Sequence, residues 1–425
     1  MEEMITRKAI IVGVCTKNEE FFNYEMKELS ALCEACMMEC VAVITQNLPS
    51  FNNATYVGSG KVFEIKEMVE IKDVDLVIFN DELTPAQLAN LADVIECEIM
   101  DRTMLILEIF KTRARTKEAT LQVELAHLNY MLPRLVGARK NLSRTGGGAS
   151  GGAGARRGAG ETKLELDRRI IEKRIDKLKS DLYAISLDRQ TARKMRKKTN
   201  TLVVSFVGYT NAGKSSTINS LLRCAGSDVE KEVFVKDMLF ATLDTSTRRI
   251  KLANNHEFLI TDTVGFVNKL PHHLVESFKS TLEEITESSL IVHLIDASSP
   301  YMKWQIETTN EVLKKLGCSD IPIVYAYNKV DLVKNLIFIP TEYQPMLKIS
   351  NRTLEGIDEL LTYIESILFK DLTVSLMLPY TKGEIYNVLK EKAHISSTEY
   401  LNEGIKVVVT LSEYLYNLYQ EYEIK

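Results

Sequence analysis

Thr201–Thr217 reads TLVVSFVGYTNAGKSST, and this stretch decides the fold. Leu202–Val207 is a β-rich apolar run. It leads into Gly208 and then G-x-x-x-x-G-K-S, the spacing of a P-loop between a strand and a helix. Gly208 and Gly213 allow backbone to approach a phosphate closely. Successive N–H groups from Tyr209, Thr210, Asn211 and Ala212 onward, and the N-terminus of the helix predicted over Ser215–Arg223, then face the anion. Lys214 adds a positive charge near the β- and γ-phosphates, and the Ser215 hydroxyl, next to Ser216, is placed to ligate Mg²⁺. An ordinary glycine-bearing turn would need neither the preceding strand nor the following helix.

Downstream, three further signals fall at the ends of predicted strands, where open α/β sheets bind ligands. Asp262-Thr263-Val264-Gly265 follows the strand Phe258–Ile260. Its Asp would hold Mg²⁺ through water, and the Gly265 N–H would sense a γ-phosphate. Asn328-Lys329-Val330-Asp331 follows Ile323–Ala326. Asp331 can accept from the N1–H and exocyclic amine of guanine, a donor pair that adenine lacks, so the motif selects GTP over ATP. Ser350 follows Met346–Ile349, and its backbone N–H is expected to meet the guanine O6. Thr242 lies between the loop and the second strand, where it would close on the γ-phosphate and Mg²⁺. Each short pattern is weak alone; in this order after a P-loop they define a GTP site.

The chain is 425 residues long, enough for two to four domains. Charged residues at 26% and hydrophobic residues at 45% are ordinary for a globular protein. No apolar run is long enough to span a membrane. The start, MEEMITRKAIIVGV, resembles neither a secretory signal nor a transit peptide, and seven Cys fit a reducing compartment, so a cytoplasmic protein acting as a monomer is expected.

Residues 1–112 alternate strand and helix: strands Ala9–Cys15, Cys40–Thr45 and Val74–Phe79, helices Glu19–Met38, Gly60–Glu70 and Pro85–Ile95. They predict an N-terminal α/β domain with a parallel sheet. Gly58-Ser59-Gly60-Lys61 lacks full phosphate-loop spacing and reads as a helix entry. Cys33, Cys36 and Cys40 fall at i, i+3, i+7 on one predicted helical face, with no further ligand to complete a zinc site; they read as buried small residues.

The net charge of −5 conceals an asymmetry. Between Arg134 and Lys198 there are 19 Lys and Arg against 7 Asp and Glu. Residues 113–198 read as a helical hairpin. Its first helix, 113–133, carries Leu121, Leu125, Leu128 and Leu132 on one stripe. Its second, Glu161–Lys197, carries Leu164, Ile171, Ile175, Leu178, Leu182 and Ile185. Between them lies an irregular tip, 134–160, with eight of the chain's 20 Gly between Gly146 and Gly160 and with Arg134, Arg139, Lys140, Arg144, Arg156 and Arg157. Glycine lets backbone lie against phosphate and Arg pairs with it bidentately, so the tip reads as a polyanion-binding element rather than a plain linker. Residues 199–370 form the GTP-binding domain. Residues 371–425, with strands Thr373–Leu378 and Ile405–Leu411 and helices Lys382–Ala393 and Ser412–Tyr422, form a small C-terminal α/β domain with no catalytic constellation.

The whole resembles one family. Asp262-Thr263-Val264-Gly265-Phe266-Val267 with the later SFKSTLEE, the helix Leu121–Gly137, Arg157–Glu165, Thr55–Lys61 and Asp101-Arg102-Thr103 are similar to the HflX branch of translational GTPases. The resemblance spans roughly residues 1–370 and implies a Ras-like G domain with a mostly parallel sheet, using Mg²⁺. It further implies binding to the large ribosomal subunit near the peptidyl transferase centre, and splitting of stalled or idle ribosomes. The hairpin tip would read rRNA. A GTP-switched assembly checkpoint that splits nothing is the alternative, which the sequence does not separate from it. An RNA-modifying enzyme is disfavoured, because no methyl-donor, flavin or nucleophilic Cys constellation is present in the first domain. Ala159 and Lys163 stand where the family commonly has Pro and Gln, and Asn351 where it has Ala; little effect is expected at Asn351, since backbone meets the base there.

For catalysis, Lys214, Thr242, Gly265 and Asn211 are the candidates. Phe266 stands where Ras-like enzymes place a water-orienting Gln, which implies slow intrinsic hydrolysis. Asn211 occupies the place at which related GTPases help hold K⁺; an Asn that merely braces the loop is the competing reading.

Overall fold

The computed structural model describes every residue except 1–6, 17–18, 146–153, 199–200, 227–238, 241–245, 253–255, 270–283, 334–339, 341, 370 and 425. The chain gathers into two compact units. The first comprises Met1–Ala192 together with Lys236–Asp244 and Val267–Ser280; the second holds the remainder.

In the first unit, β1 (Arg7–Cys15), α1 (Glu19–Ala35), β2 (Met38–Asn47), α2 (Ser59–Lys72), β3 (Leu76–Phe79), α3 (Pro85–Ile95), β4 (Glu98–Asp101) and α4 (Arg102–Arg113) alternate. The strands make one parallel sheet in the order β2-β1-β3-β4. β1 and β3 are apolar runs because both faces are covered, as expected of a parallel sheet. α3 begins at Thr84, whose hydroxyl accepts from Gln87 N–H while the Gln87 side chain returns to the Thr84 N–H. The Gly58–Lys61 stretch is a helix entry: α2 starts at Ser59.

The three cysteines do not share a helical face. α1 ends at Ala35, Met37 turns the chain with a left-handed φ of 59°, and Cys40 lies in β2. Burial pushes the Cys33, Cys36 and Cys40 thiols up, that of Cys36 to about 11.

α5 (Lys117–Thr145) and α6 (Gly154–Lys198) form the hairpin. Leu121, Leu125, Leu128 and Leu132 pack against Ile171, Ile175, Leu178 and Leu182, joining the two stripes read from the sequence. The tip differs from expectation. Backbone expected to be irregular is helical through Thr145 and again from Gly154. In this unit Lys269 donates to Glu25 and Asp81 at 2.8 and 2.7 Å, Asn268 donates to Glu25, and Phe240 meets Phe110 edge to face.

In the second unit a six-stranded sheet runs β10-β9-β8-β5-β7-β6. It is built from β5 (Val203–Gly208), β6 (Ser246–Lys251), β7 (Glu257–Asp262), β8 (Leu290–Asp296), β9 (Ile323–Asn328) and β10 (Met346–Lys348). All neighbours are parallel except the β6–β7 hairpin. The helices described here are α7 (Lys214–Cys224), α8 (Met302–Lys315) and α9 (Ile357–Leu368). Phe206, Phe258, Ile260, Val292, Ile218, Leu221, Ile357 and Ile364 build one core between sheet, α7 and α9.

The C-terminal part of that unit has β11 (Asp371–Leu378), α10 (Gly383–Lys392), β12 (His394–Leu401), β13 (Gly404–Ser412) and α11 (Glu413–Tyr419). Its antiparallel sheet is ordered β11-β13-β12. One face buries Leu376, Leu378, Val407, Val409 and Leu411 against the helices. The outer edge of β11 is paired: Leu376 bridges Glu423, and the Ile424 N–H donates to the Ser375 carbonyl at 2.8 Å.

Candidate functional site: the phosphate loop and the guanine loop

The loop leaves β5 at Gly208 and enters α7 at Lys214. Gly213 has φ +95°, and a Cβ there would lie 2.3 Å from the Asn328 amide nitrogen, so neither the conformation nor the space admits a side chain. Asn211 also has a left-handed φ, +61°. Asn tolerates that region better than most residues, which supplies a conformational reason for its presence. Tyr209 is buried with its ring 5.8 Å from that of Trp304, and Ala212 is buried beneath the loop. Ser216 lies in the first turn of α7, where its carbonyl accepts from Ser220.

Lys214 is 8% exposed and donates from Nζ to the carbonyls of Gly208 and Tyr209, at 3.2 and 3.0 Å. Burial pushes its ammonium down to about 8, against the pull of the Asp262 carboxylate. Asp262, at the end of β7, is fully buried and accepts from the Ser215 hydroxyl at 2.6 Å. Gly265 is a close-approach glycine, since a Cβ would sit 2.9 Å from Thr210 Cγ2 and 3.0 Å from Lys214 Nζ. Phe266 is 2% exposed. Its backbone is tied to the phosphate loop: its N–H donates to Gly208 O and its carbonyl accepts from Thr210 N–H at 2.7 Å. Its ring faces inward. Thr242 lies outside the described residues.

The candidate base-recognition residues converge from β9 and the loop after β10. Asn328 is buried and donates from Nδ2 to Ala212 O at 2.8 Å. Lys329 pairs with Asp296 at 2.8 Å. Asp331 is exposed and accepts from the Ser350 hydroxyl at 2.7 Å. Here one expectation is corrected. The Ser350 N–H donates to the Glu355 carbonyl at 2.9 Å and is not left open toward a base, while its hydroxyl donates to Asp331 and accepts from Arg352 and Thr353 N–H. A second correction concerns Asn351. Its side chain reaches into the phosphate loop, donating to Gly213 O and Thr217 Oγ1 at 3.2 and 2.9 Å. Its departure from Ala was the only signal in the sequence.

Arg134 is not available for RNA. It is buried, donating to Tyr130 O, Leu83 O and Glu82, and lies 3.7 Å from the fully buried Asp101. Arg139, Lys140 and Arg144 belong to α5, and Arg156 and Arg157 to α6, as backbone; their side chains lie outside what is described.

The parallel sheet, the phosphate loop at the end of its central strand and the Asn328–Asp331 motif at the end of β9 define a P-loop GTPase. Three family models match in succession: the N-terminal region of a GTP-binding GTPase over residues 23–111, its middle region over 113–196, and a 50S ribosome-binding GTPase over 203–329. The chain is 45% identical to the GTPase HflX of Caldanaerobacter subterraneus subsp. tengcongensis, over 96% of this chain and 92% of that one. Against the GTPase HflX of Escherichia coli K12 the identity is 40%, over 73% and 70%. A solved structure, SsGBP with GDP, overlaps with a TM-score of 0.49 at 23% identity, over 85% of this chain and 98% of that one. The chain belongs to the GTPase HflX family. It binds GTP and hydrolyses it to GDP and phosphate.

Proposed function

We propose that this GTPase binds the large ribosomal subunit and dissociates stalled or idle ribosomes in the cytoplasm, with hydrolysis stimulated by the ribosome. The observation that carries the reading is the match of Val203–Lys329 to the model described as a 50S ribosome-binding GTPase. The basic segment 134–198 supports it, since excess Lys and Arg beside glycine suit a phosphate backbone. Arg139, Lys140, Arg144, Arg156 and Arg157 are its proposed rRNA contacts; Arg134 is not among them.

The site supports a switch. Lys214, Asn328, Asp331 and the N-terminus of α7 would grip the nucleotide, and Gly265 would report the γ-phosphate. The Ser215 hydroxyl and the Asp262 carboxylate, 2.6 Å apart, are hard oxygen donors of the kind Mg²⁺ requires. They would hold the ion, with Thr242 completing the set, and the ion would neutralise phosphate charge. Asn211 would help hold K⁺ beside the phosphates. The inward ring of Phe266 cannot orient water, so intrinsic turnover would be slow and the ribosome would supply the missing organisation. Equal turnover in Na⁺ and K⁺ would remove the Asn211 role.

Gradient sedimentation of intact ribosomes with the protein and a non-hydrolysable GTP analogue tests the reading. Free subunits are expected. Co-migration with an unchanged ribosome peak would instead assign a GTP-switched checkpoint that remains on the large subunit, and no co-migration would reject both.

A further inference from the structure

We propose that Asn351 is a positioning residue for the phosphate-binding backbone, one that fixes the orientation of the Lys214 N–H. The inference rests on nucleotide binding at this loop and on nothing ribosomal.

Two asparagines reach from the base-recognition side to consecutive carbonyls of the phosphate loop. Asn328 Nδ2 donates to Ala212 O at 2.8 Å, and Asn351 Nδ2 donates to Gly213 O at 3.2 Å. The two are joined, because the Asn351 N–H donates to Asn328 Oδ1 at 3.3 Å. Asn351 Nδ2 also donates to Thr217 Oγ1 at 2.9 Å, and that hydroxyl donates to Gly213 O at 2.9 Å. Gly213 O is therefore held directly by the amide and again through Thr217, a side chain with no solvent exposure. Since Gly213 O is purely an acceptor, the amide must present its nitrogen there.

A trans peptide is planar, with its N–H opposite its C=O. Holding Ala212 O aims the Gly213 N–H, and holding Gly213 O aims the Lys214 N–H. Both lie among the first amides around the start of α7, where no intrahelical acceptor exists and where an anion is received. Gly213 sits at φ +95°, a conformation that its own lack of Cβ leaves free to relax. The Asn351 amide removes that freedom. Alanine at this position has no donor and would leave the second carbonyl to Thr217 alone.

The test is GDP release from the full chain, measured for Asn351→Ala, Thr217→Val and the double variant. Alanine is smaller, so the first variant is expected to fold, and its nucleotide-free thermal midpoint checks this. Each single variant should release GDP about five- to tenfold faster than the parent, the effect of one lost hydrogen bond at the site. The double variant should depart from the product of the two single effects, because both act on one carbonyl. The preference for GDP over IDP, which reads the contact of Asp331 with the exocyclic amine, should not change. Release within twofold of the parent for Asn351→Ala, multiplicative effects in the double variant, or a shifted GDP-to-IDP preference would each overturn the proposal. Failure of the parent chain to bind GDP in the same assay would instead reject the nucleotide site itself.

Discussion

The guanidinium carbon of Arg134 lies 3.4 Å from the centre of the Tyr130 ring, one turn back along α5. The same side chain closes on Leu83 O, Tyr130 O and Glu82, beside Asp101. Asp101 in turn accepts from Leu83 N–H, Met104 N–H and the Tyr130 hydroxyl, and burial pushes its carboxyl up. Arg134 thus keeps a buried carboxylate company and fastens α5 to the end of β4.

Arg134→Ala should accordingly lower stability by about 3 kcal/mol, because it strips a buried anion of its cation. Urea unfolding of the full chain checks this. Arg156→Glu with Arg157→Glu should leave the unfolding midpoint unchanged and abolish ribosome co-sedimentation while GTP binding persists. An Arg134→Ala protein as stable as the parent would contradict its structural role.

Lys214 predicts a pH dependence of nucleotide affinity. In the free protein its ammonium titrates near 8. Phosphate raises that value in the complex, so affinity is complete below 8 and falls as pH rises past it, by up to about tenfold per pH unit. GDP titrations just above pH 8, before guanine N1–H itself ionises, measure this. Lys214→Arg stays charged and should bind more weakly with no such slope.

Asp331→Asn should change the base preference. Asparagine presents an amide N–H where the carboxylate accepts, which suits the C2 carbonyl of xanthine and not the amine of guanine. GDP affinity is expected to fall at least about a hundredfold and XDP to become the better ligand. Competition between GDP and XDP for the variant is the measurement; retained GDP preference would displace Asp331 from its role.

His293, in the central strand β8, is 1% exposed, and burial pushes its imidazole down to about 3. The unfolded chain protonates this group first as pH falls. Its contribution is therefore intact above the ordinary value of 6.5 and lost below it, at about 1.4 kcal/mol per pH unit toward 3. Unfolding curves between neutrality and pH 5 should show a shallower acid loss in His293→Gln than in the parent.

The phosphate loop was legible because each of its parts needs particular residues at particular spacings: Gly208 and Gly213 for close backbone approach, Gly213 for its φ, Lys214 for charge. The strands β1 and β5 were legible because both are continuous apolar runs. α4, Arg102–Arg113, was not, because Leu105, Ile106, Leu107, Ile109 and Phe110 are buried almost all round and leave no one-sided stripe. β12 was missed for the opposite reason: HISSTEYL is polar and mostly exposed, at the edge of its sheet. Arg134 and Asn351 show a third limit. What a polar side chain does depends on partners far along the chain, Glu82 and Leu83 for one and Gly213 and Thr217 for the other, which no local pattern specifies.

The pairing of Glu423 and Ile424 with Leu376 and Ser375 has a practical consequence. These residues act as a selvedge: they occupy backbone groups of β11 that would otherwise be open to a strand from another molecule. A version of the protein trimmed before Glu423 should show concentration-dependent self-association, and fusions placed directly after Ile424 must leave that hem intact.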